Sequence, residues 1–163
     1  MNDDETLTAY HEAGHAVVAF ALGGSIESMQ LGGEEDEWLP ARFGDCRILW
    51  GAVDSESPSQ RRREILTVLA GPVAEMIYRE EPLHPALYGP WRDDWQRAWE
   101  AASTIANDPQ RRTQLLEQLI VELRERLRGD SCWAAVAALA DELMAHEYLE
   151  AEQVEEVLLY WVR

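Results

Sequence analysis

Residues 11–15 read His11-Glu12-Ala13-Gly14-His15. Two histidines four apart, with a glutamate directly after the first, are what a zinc hydrolase needs. Such an enzyme holds its ion with neutral imidazoles on one face of a rigid element, leaves a coordination position open, and keeps a base near the water to be activated. On a helix, His11 and His15 lie about 40° apart and Glu12 about 60° from His15. One turn thus supplies two ligands and a general base that is not itself a ligand. Composition alone yields such a spacing in roughly one shuffled chain per hundred. The alternative, two exposed histidines on a surface helix, predicts polar neighbours. Here the neighbours are Ala13, Gly14, Ala16 and Val17, small apolar residues that suit a packed floor with close backbone approach.

Other chemistry-bearing residues are weaker candidates. His84 lies in a proline-rich segment, where surface loop is the simpler reading. His146 falls near a helix C-terminus, a common place for a cap or dipole partner. Glu75 is either an acid that orients a ligating imidazole or an exposed helix acid. Asp93 and Asp94 stand at a helix start, where an aspartate ordinarily caps. No serine or cysteine has a nucleophile's context. Cys46 and Cys132 are far apart and form no CxxC pair, so they suit a reducing compartment as small apolar residues.

The elements that must position these residues are mostly helical. The first helix is expected from about Thr6 to Leu22, ending at Gly23-Gly24, with Leu7, Tyr10, Gly14, Val17, Val18 and Ala21 as its buried stripe. Short β-prone runs at Ile26–Leu31 and Cys46–Val53, separated by glycines and the acidic stretch Glu34–Glu37, predict a small hairpin or sheet. Ser57-Pro58-Ser59-Gln60 reads as a helix start, and Gly71-Pro72 predicts a kink within that helix. Glu81–Trp91 reads as loop. Further helices are expected over Asp93–Ala106, from the Asp108-Pro109 cap to Arg128-Gly129, over Ser131–Leu149 and over Ala151–Arg163. Trp91, Trp95 and Trp99 recur every fourth residue, which is the pattern of a core stripe. Arg61-Arg62-Arg63 occupies the first helical turns, an unfavourable place for positive charge, and is expected to pair with acids of this chain or of a partner. The fold class is therefore mainly α (α+β): one domain over residues 1–163, helical, with a small β insert after the first helix.

Bulk properties exclude several functions. Fourteen basic and 31 acidic residues leave a formal charge of −17, which repels phosphate backbones and anionic membrane surfaces. All the basic residues are arginine, so neither a P-loop lysine nor a Schiff-base lysine exists. The N-terminal MNDDETL has no signal-peptide pattern, and Ala16–Leu22 is far too short to span a bilayer. A cytoplasmic location is expected, with neither nucleic acid nor membrane as partner.

Tyr10-His11-Glu12-Ala13-Gly14-His15-Ala16-Val17-Val18 resembles the active-site helix of the FtsH-type peptidases, the proteolytic domains of ATP-dependent AAA zinc metalloproteases. Three further stretches follow in the family's order. Leu69-Ala70-Gly71-Pro72-Val73-Ala74-Glu75 is similar to its Gly-Gly-Arg-Ala-Ala-Glu segment. Asp94-Trp95-Gln96-Arg97-Ala98 is similar to its Asp-Leu/Ile-x-x-Ala helix start, and Leu143–Glu150 to its C-terminal Leu-x-x-x-Glu-x-Leu stretch. The resemblance implies an aspartate from the later helix as third zinc ligand. The family's preceding glycine, matched by Gly89, selects Asp93; its following alanine, matched by Ala98, selects Asp94. Asp94 is preferred, because spacing within a helix tolerates less slippage than spacing in a loop. Pro72 stands where the family has arginine, and Trp99 where it usually has threonine. The chain contains no ATPase module and no transmembrane helix.

The expected function is that of a zinc-dependent metallopeptidase acting on peptides or unfolded proteins. His11, His15 and Asp94 are the metal ligands and Glu12 is the catalytic base. The alternative is a non-proteolytic zinc-containing module that binds a partner such as a separate ATPase. Related peptidase domains assemble as hexamers, so the resemblance also implies a homo-oligomer.

Overall fold

The computed structural model describes residues 4–32 and 44–162; the expected acidic loop at Glu34–Glu37 lies outside them. Among the described residues six helices and three short strands occur in the order α1 (Asp4–Ala21), β1 (Ser25–Leu31), β2 (Gly44–Leu49), α2 (Pro58–Arg79), a 3-10 turn (Gly89–Trp91), α3 (Arg92–Ala102), α4 (Pro109–Leu127), α5 (Asp130–His146), β3 (Tyr148–Glu150) and α6 (Ala151–Trp161). The fold is mainly α with a small antiparallel sheet, as the sequence predicts. Among the described residues no helix is long and apolar enough to cross a membrane.

Helix α1 is the axis of the molecule. Nearly every residue from Leu7 to Ala19 is buried, because α2, α5, β1 and β2 pack around it. Its residues are therefore small: Ala9, Ala13, Ala16 and Ala19 are fully buried, and each lets a neighbouring element come close. Gly14 marks the closest approach. A Cβ there would lie 2.6 Å from the Ala70 carbonyl oxygen and 2.7 Å from the Ala74 Cβ, so the backbones of α1 and α2 nearly touch. The helix stops where expected: Gly23 takes a left-handed φ of 101°, and the Gly24 N–H returns to the Ala19 carbonyl at 2.8 Å, closing the cap.

Side-chain caps set the starts of α2 and α4. Ser57 accepts from the Gln60 N–H at 3.2 Å, and Asp108 from that of Arg111 at 3.1 Å. Each cap satisfies one of the donors a helix start leaves over. Helix α2 continues through Gly71-Pro72 as a single element.

The sheet has the order β2-β1-β3. Strand β1 buries Ile26, Met29 and Leu31, a spacing that breaks strict alternation. A register irregularity between Ile26 and Ser28 in the pairing with β2 absorbs the extra residue, Glu27, and brings Ile26 back onto the inner face. The third strand corrects the expected helix over Ser131–Leu149. Helix α5 ends at His146, Glu147 adopts a left-handed φ of 63°, and its carbonyl accepts from the Leu31 N–H at 2.8 Å. Tyr148–Glu150 then pairs with Ser28–Gln30 and buries Leu149 completely. Helix α3 also ends four residues earlier than expected. Ser103 and Thr104 hydroxyls bond back to the carbonyls of Glu100 and Ala101, which offers the backbone an alternative to further helix.

Candidate metal centre

Helix α1 turns His11, Glu12 and His15 inward, with only 8%, 7% and 9% of their surface exposed. One potential ligand atom from each lies within 4.8 Å of the others. The two rings are nearly perpendicular, at 81°, with centroids 4.7 Å apart. Helix α3 supplies the acid that completes the cluster. Asp94 Oδ2 sits 2.6 Å from His11 Nε2 and 3.5 Å from His15 Nε2. Ala98 and Ala102 are buried on the inward side of α3, and Asp94 shares that side while Asp93 is exposed. The helical spacing to Ala98 thus selects the acid that reaches the histidines, and the loop spacing to Gly89 does not.

The far nitrogens of both rings are held by a single face of α2. His11 Nδ1 donates to Glu75 Oε2 at 2.6 Å, and His15 Nδ1 donates to the Thr67 carbonyl at 2.7 Å. Thr67, Gly71 and Glu75 stand one turn apart on that helix. Gly71, between the two anchors, lies under the rings. A Cβ on it would be 2.5 Å from His15 Cε1 and Nε2 and 2.7 Å from His11 Nε2. The sequence marks Gly71 only as part of an expected kink; its place in the structure is as the gap that admits two imidazoles. A carbonyl can only accept, so His15 carries its proton on Nδ1 and, when neutral, turns the Nε2 lone pair towards Asp94. Both ring nitrogens of His11 meet carboxylates, Nδ1 that of Glu75 and Nε2 that of Asp94, each at 2.6 Å.

This donor set could hold a metal ion such as zinc. Two imidazole nitrogens and one carboxylate oxygen converge, and each ring is oriented from behind by a hydrogen-bond acceptor. Tetrahedral ligands about 2.0–2.1 Å from zinc are about 3.3 Å apart. The His15–Asp94 separation of 3.5 Å already matches this, and the His11–Asp94 contact needs to open by about 0.7 Å.

Burial works against the charged form of His11, but hydrogen bonds to Asp94 and Glu75 prevail and push it up to about 10. Burial likewise opposes charge on His15, and the Asp94 carboxylate outweighs it, so His15 is also raised. Burial would raise Asp94, yet the charge of His15 and the hydrogen bond from His11 hold it well below the usual carboxylate range. Glu12 is raised by burial, against the pull of the two histidines. A carboxylate raised in this way is a stronger base than a free one.

Strand β2 closes over Glu12. A Cβ on Gly44 would meet Glu12 Cγ at 2.8 Å and Thr8 Cγ2 at 2.6 Å, so only glycine allows the strand to begin there. Cys46 follows two residues later, its thiol pushed well up by burial and by the neighbouring Glu12; it is unpaired, as is Cys132.

The remaining candidates lie elsewhere. His84 packs edge-on to Trp95, and His146 faces Glu142 at 3.3 Å in the last turn of α5. Within the arginine run, Arg62 pairs with Glu122 at 2.8 Å. Trp91 is wholly buried, and Trp95 and Trp99 lean on the core. The indole N–H of Trp91 donates to Glu75 Oε2, a contact the four-residue spacing of the tryptophans does not announce. A scan against protein-family models finds no match, and neither does a search of curated proteins.

Proposed function

We propose that this chain is a zinc-dependent metallopeptidase domain of FtsH type that cleaves peptides or unfolded polypeptides. The reading is supported above all by one observation: a carboxylate from α3, 83 residues from His11, meets the Nε2 atoms of both histidines while α2 orients their other nitrogens. His11, His15 and Asp94 would hold the ion. When bound, zinc supplies Lewis-acid polarisation of a carbonyl and the acidification of water that hydrolysis needs near neutral pH.

The chain's own residues divide the remaining work. Glu12 takes a proton from the attacking water and returns it to the departing amine. Glu75 and the Thr67 carbonyl hold the imidazoles in the tautomer that leaves Nε2 free. Gly44 lets β2 lie against Glu12.

The experiment combines metal analysis with casein hydrolysis in the presence and absence of a zinc chelator. Wild type should contain one zinc per chain and lose activity with the chelator. Glu12→Gln should keep the zinc and lose about 10²–10⁴-fold in rate. Full activity in Glu12→Gln removes Glu12 as base. The burial of all three α1 side chains favours a second reading, a zinc-containing module that binds a partner such as a separate ATPase. Zinc binding without any casein hydrolysis would decide for it.

A further inference from the structure

Glu75 and Trp91 are both wholly buried, and neither belongs to the ligand set. The same oxygen, Glu75 Oε2, accepts from His11 Nδ1 and from Trp91 Nε1. We infer that Trp91 is a positioning residue of the metal site, acting through Glu75 to aim His11 and, through its place in the chain, to register Asp94 against it. The inference rests on the reading of this cluster as a metal centre.

Two features carry it. A carboxylate rotates freely about its last torsion, and one hydrogen bond to an imidazole leaves much of that freedom. A second donor on the same oxygen, fixed in a rigid and fully packed indole, restricts it further. The orientation of the His11 ring therefore depends on where the Trp91 ring stands. Trp91 also directly precedes α3 and its N–H closes a turn on the Tyr88 carbonyl at 3.0 Å; Asp94 follows three residues later. The Tyr88 ring packs edge-on to Trp91, with centroids 4.6 Å apart, and the Tyr88 hydroxyl accepts from Arg79 of α2 at 2.8 Å. Helix α3 has no side-chain cap hydrogen bond, and this stapled segment ties its start to α2. One side chain thus links the orienting partner of the first ligand to the backbone that carries the third. Burial alone would have been met by any apolar ring; the indole adds the donor that Glu75 uses.

The test measures zinc affinity of the metal-free protein by competition with a chromophoric chelator, alongside thermal unfolding. Trp91→Phe keeps a ring in the core and deletes the N–H. It should weaken zinc binding by roughly 10–100-fold, the range seen when an orienting partner is lost. Glu75→Ala should weaken it to a similar degree. Adding Trp91→Phe to Glu75→Ala should then cost less than about twofold more, because the tryptophan acts through the acid. A purely structural role predicts the opposite, two independent losses that multiply. If Trp91→Phe fails to fold, Glu75→Gln leaves every ring in place. It should weaken zinc binding and shift the Trp91 indole N–H resonance in the metal-free protein, and an unmoved resonance overturns the contact. Wild-type affinity in Trp91→Phe, or multiplicative losses, overturns the positioning role alone. A wild-type protein that binds no zinc overturns both this inference and the metallopeptidase reading.

Discussion

Gly71→Ala puts the arrangement of α2 under direct strain. In an ordinary helix interior, replacing glycine by alanine stabilises by about 0.5–1 kcal/mol. At residue 71 the new methyl would sit 2.5 Å from His15 Nε2 and Cε1, about 1 Å inside the roughly 3.5 Å at which such atoms rest. The rings can retreat only by leaving α2, and both their anchors, Thr67 and Glu75, are on α2. A retreat of about 1 Å stretches contacts of 2.6 and 2.7 Å to about 3.6–3.7 Å, past the limit of a hydrogen bond. Losing one charge-assisted and one neutral bond costs about 2–4.5 kcal/mol, so the net destabilisation after the helix gain is about 1–4 kcal/mol. The effect on zinc is larger in proportion, because ligand distances tolerate only about 0.2 Å; affinity should fall by at least about 100-fold. Urea unfolding of the metal-free protein reads the first quantity and chelator competition the second. A Gly71→Ala protein that is as stable as wild type and binds zinc within threefold of it would refute this account of α2.

Asp94→Ala should lose zinc on dialysis, while Asp93→Ala, altering an exposed side chain, should retain it; metal content of both purified variants checks the pair. The metal-free protein should also show a distinctive pH dependence. A raised His11 adds stability that is complete below its ordinary value near 6.5 and disappears as pH rises towards about 10, and the raised His15 and Glu12 act with the same sign. The lowered Asp94 adds stability that is complete above the ordinary carboxylate value and disappears in acid. Midpoint temperatures without metal should therefore fall between pH 6.5 and 10. With saturating zinc they should rise from pH 6 to 8, since the ion needs unprotonated nitrogens, and identical slopes with and without zinc would contradict the assignment.

The parts of the fold visible in the sequence are those set by local chemistry. Ser57 and Asp108 cap because their oxygens reach N–H groups three residues on. The His11–Glu12–His15 turn has apolar neighbours because α1 is enclosed on nearly every side. Asp94 could be preferred over Asp93 only through the family resemblance, whose following alanine is matched by Ala98 at a helix-fixed spacing. What stays hidden depends on distant backbone. Strand β3 is three residues long, and its partner Gln30 pairs with Tyr148 across most of the chain, so no periodicity marks it. The Thr67 carbonyl orients His15, yet a backbone acceptor leaves no trace in residue type. Glu75 is ambiguous in sequence because a helix acid reads alike whether it faces water or an imidazole; the tryptophan that accompanies it in the core belongs to another element. Gly71-Pro72 suggests a break, and the glycine's real constraint, two rings seated on its Cα, becomes visible only once α1 is laid across α2.

The meeting of Gly14 with the Ala70 carbonyl, and of Gly71 with the two imidazoles, also governs how the molecule can breathe. Sliding either helix by one residue, about 1.5 Å, would drive a side chain into the opposing backbone, so the crossing behaves as a locked joint.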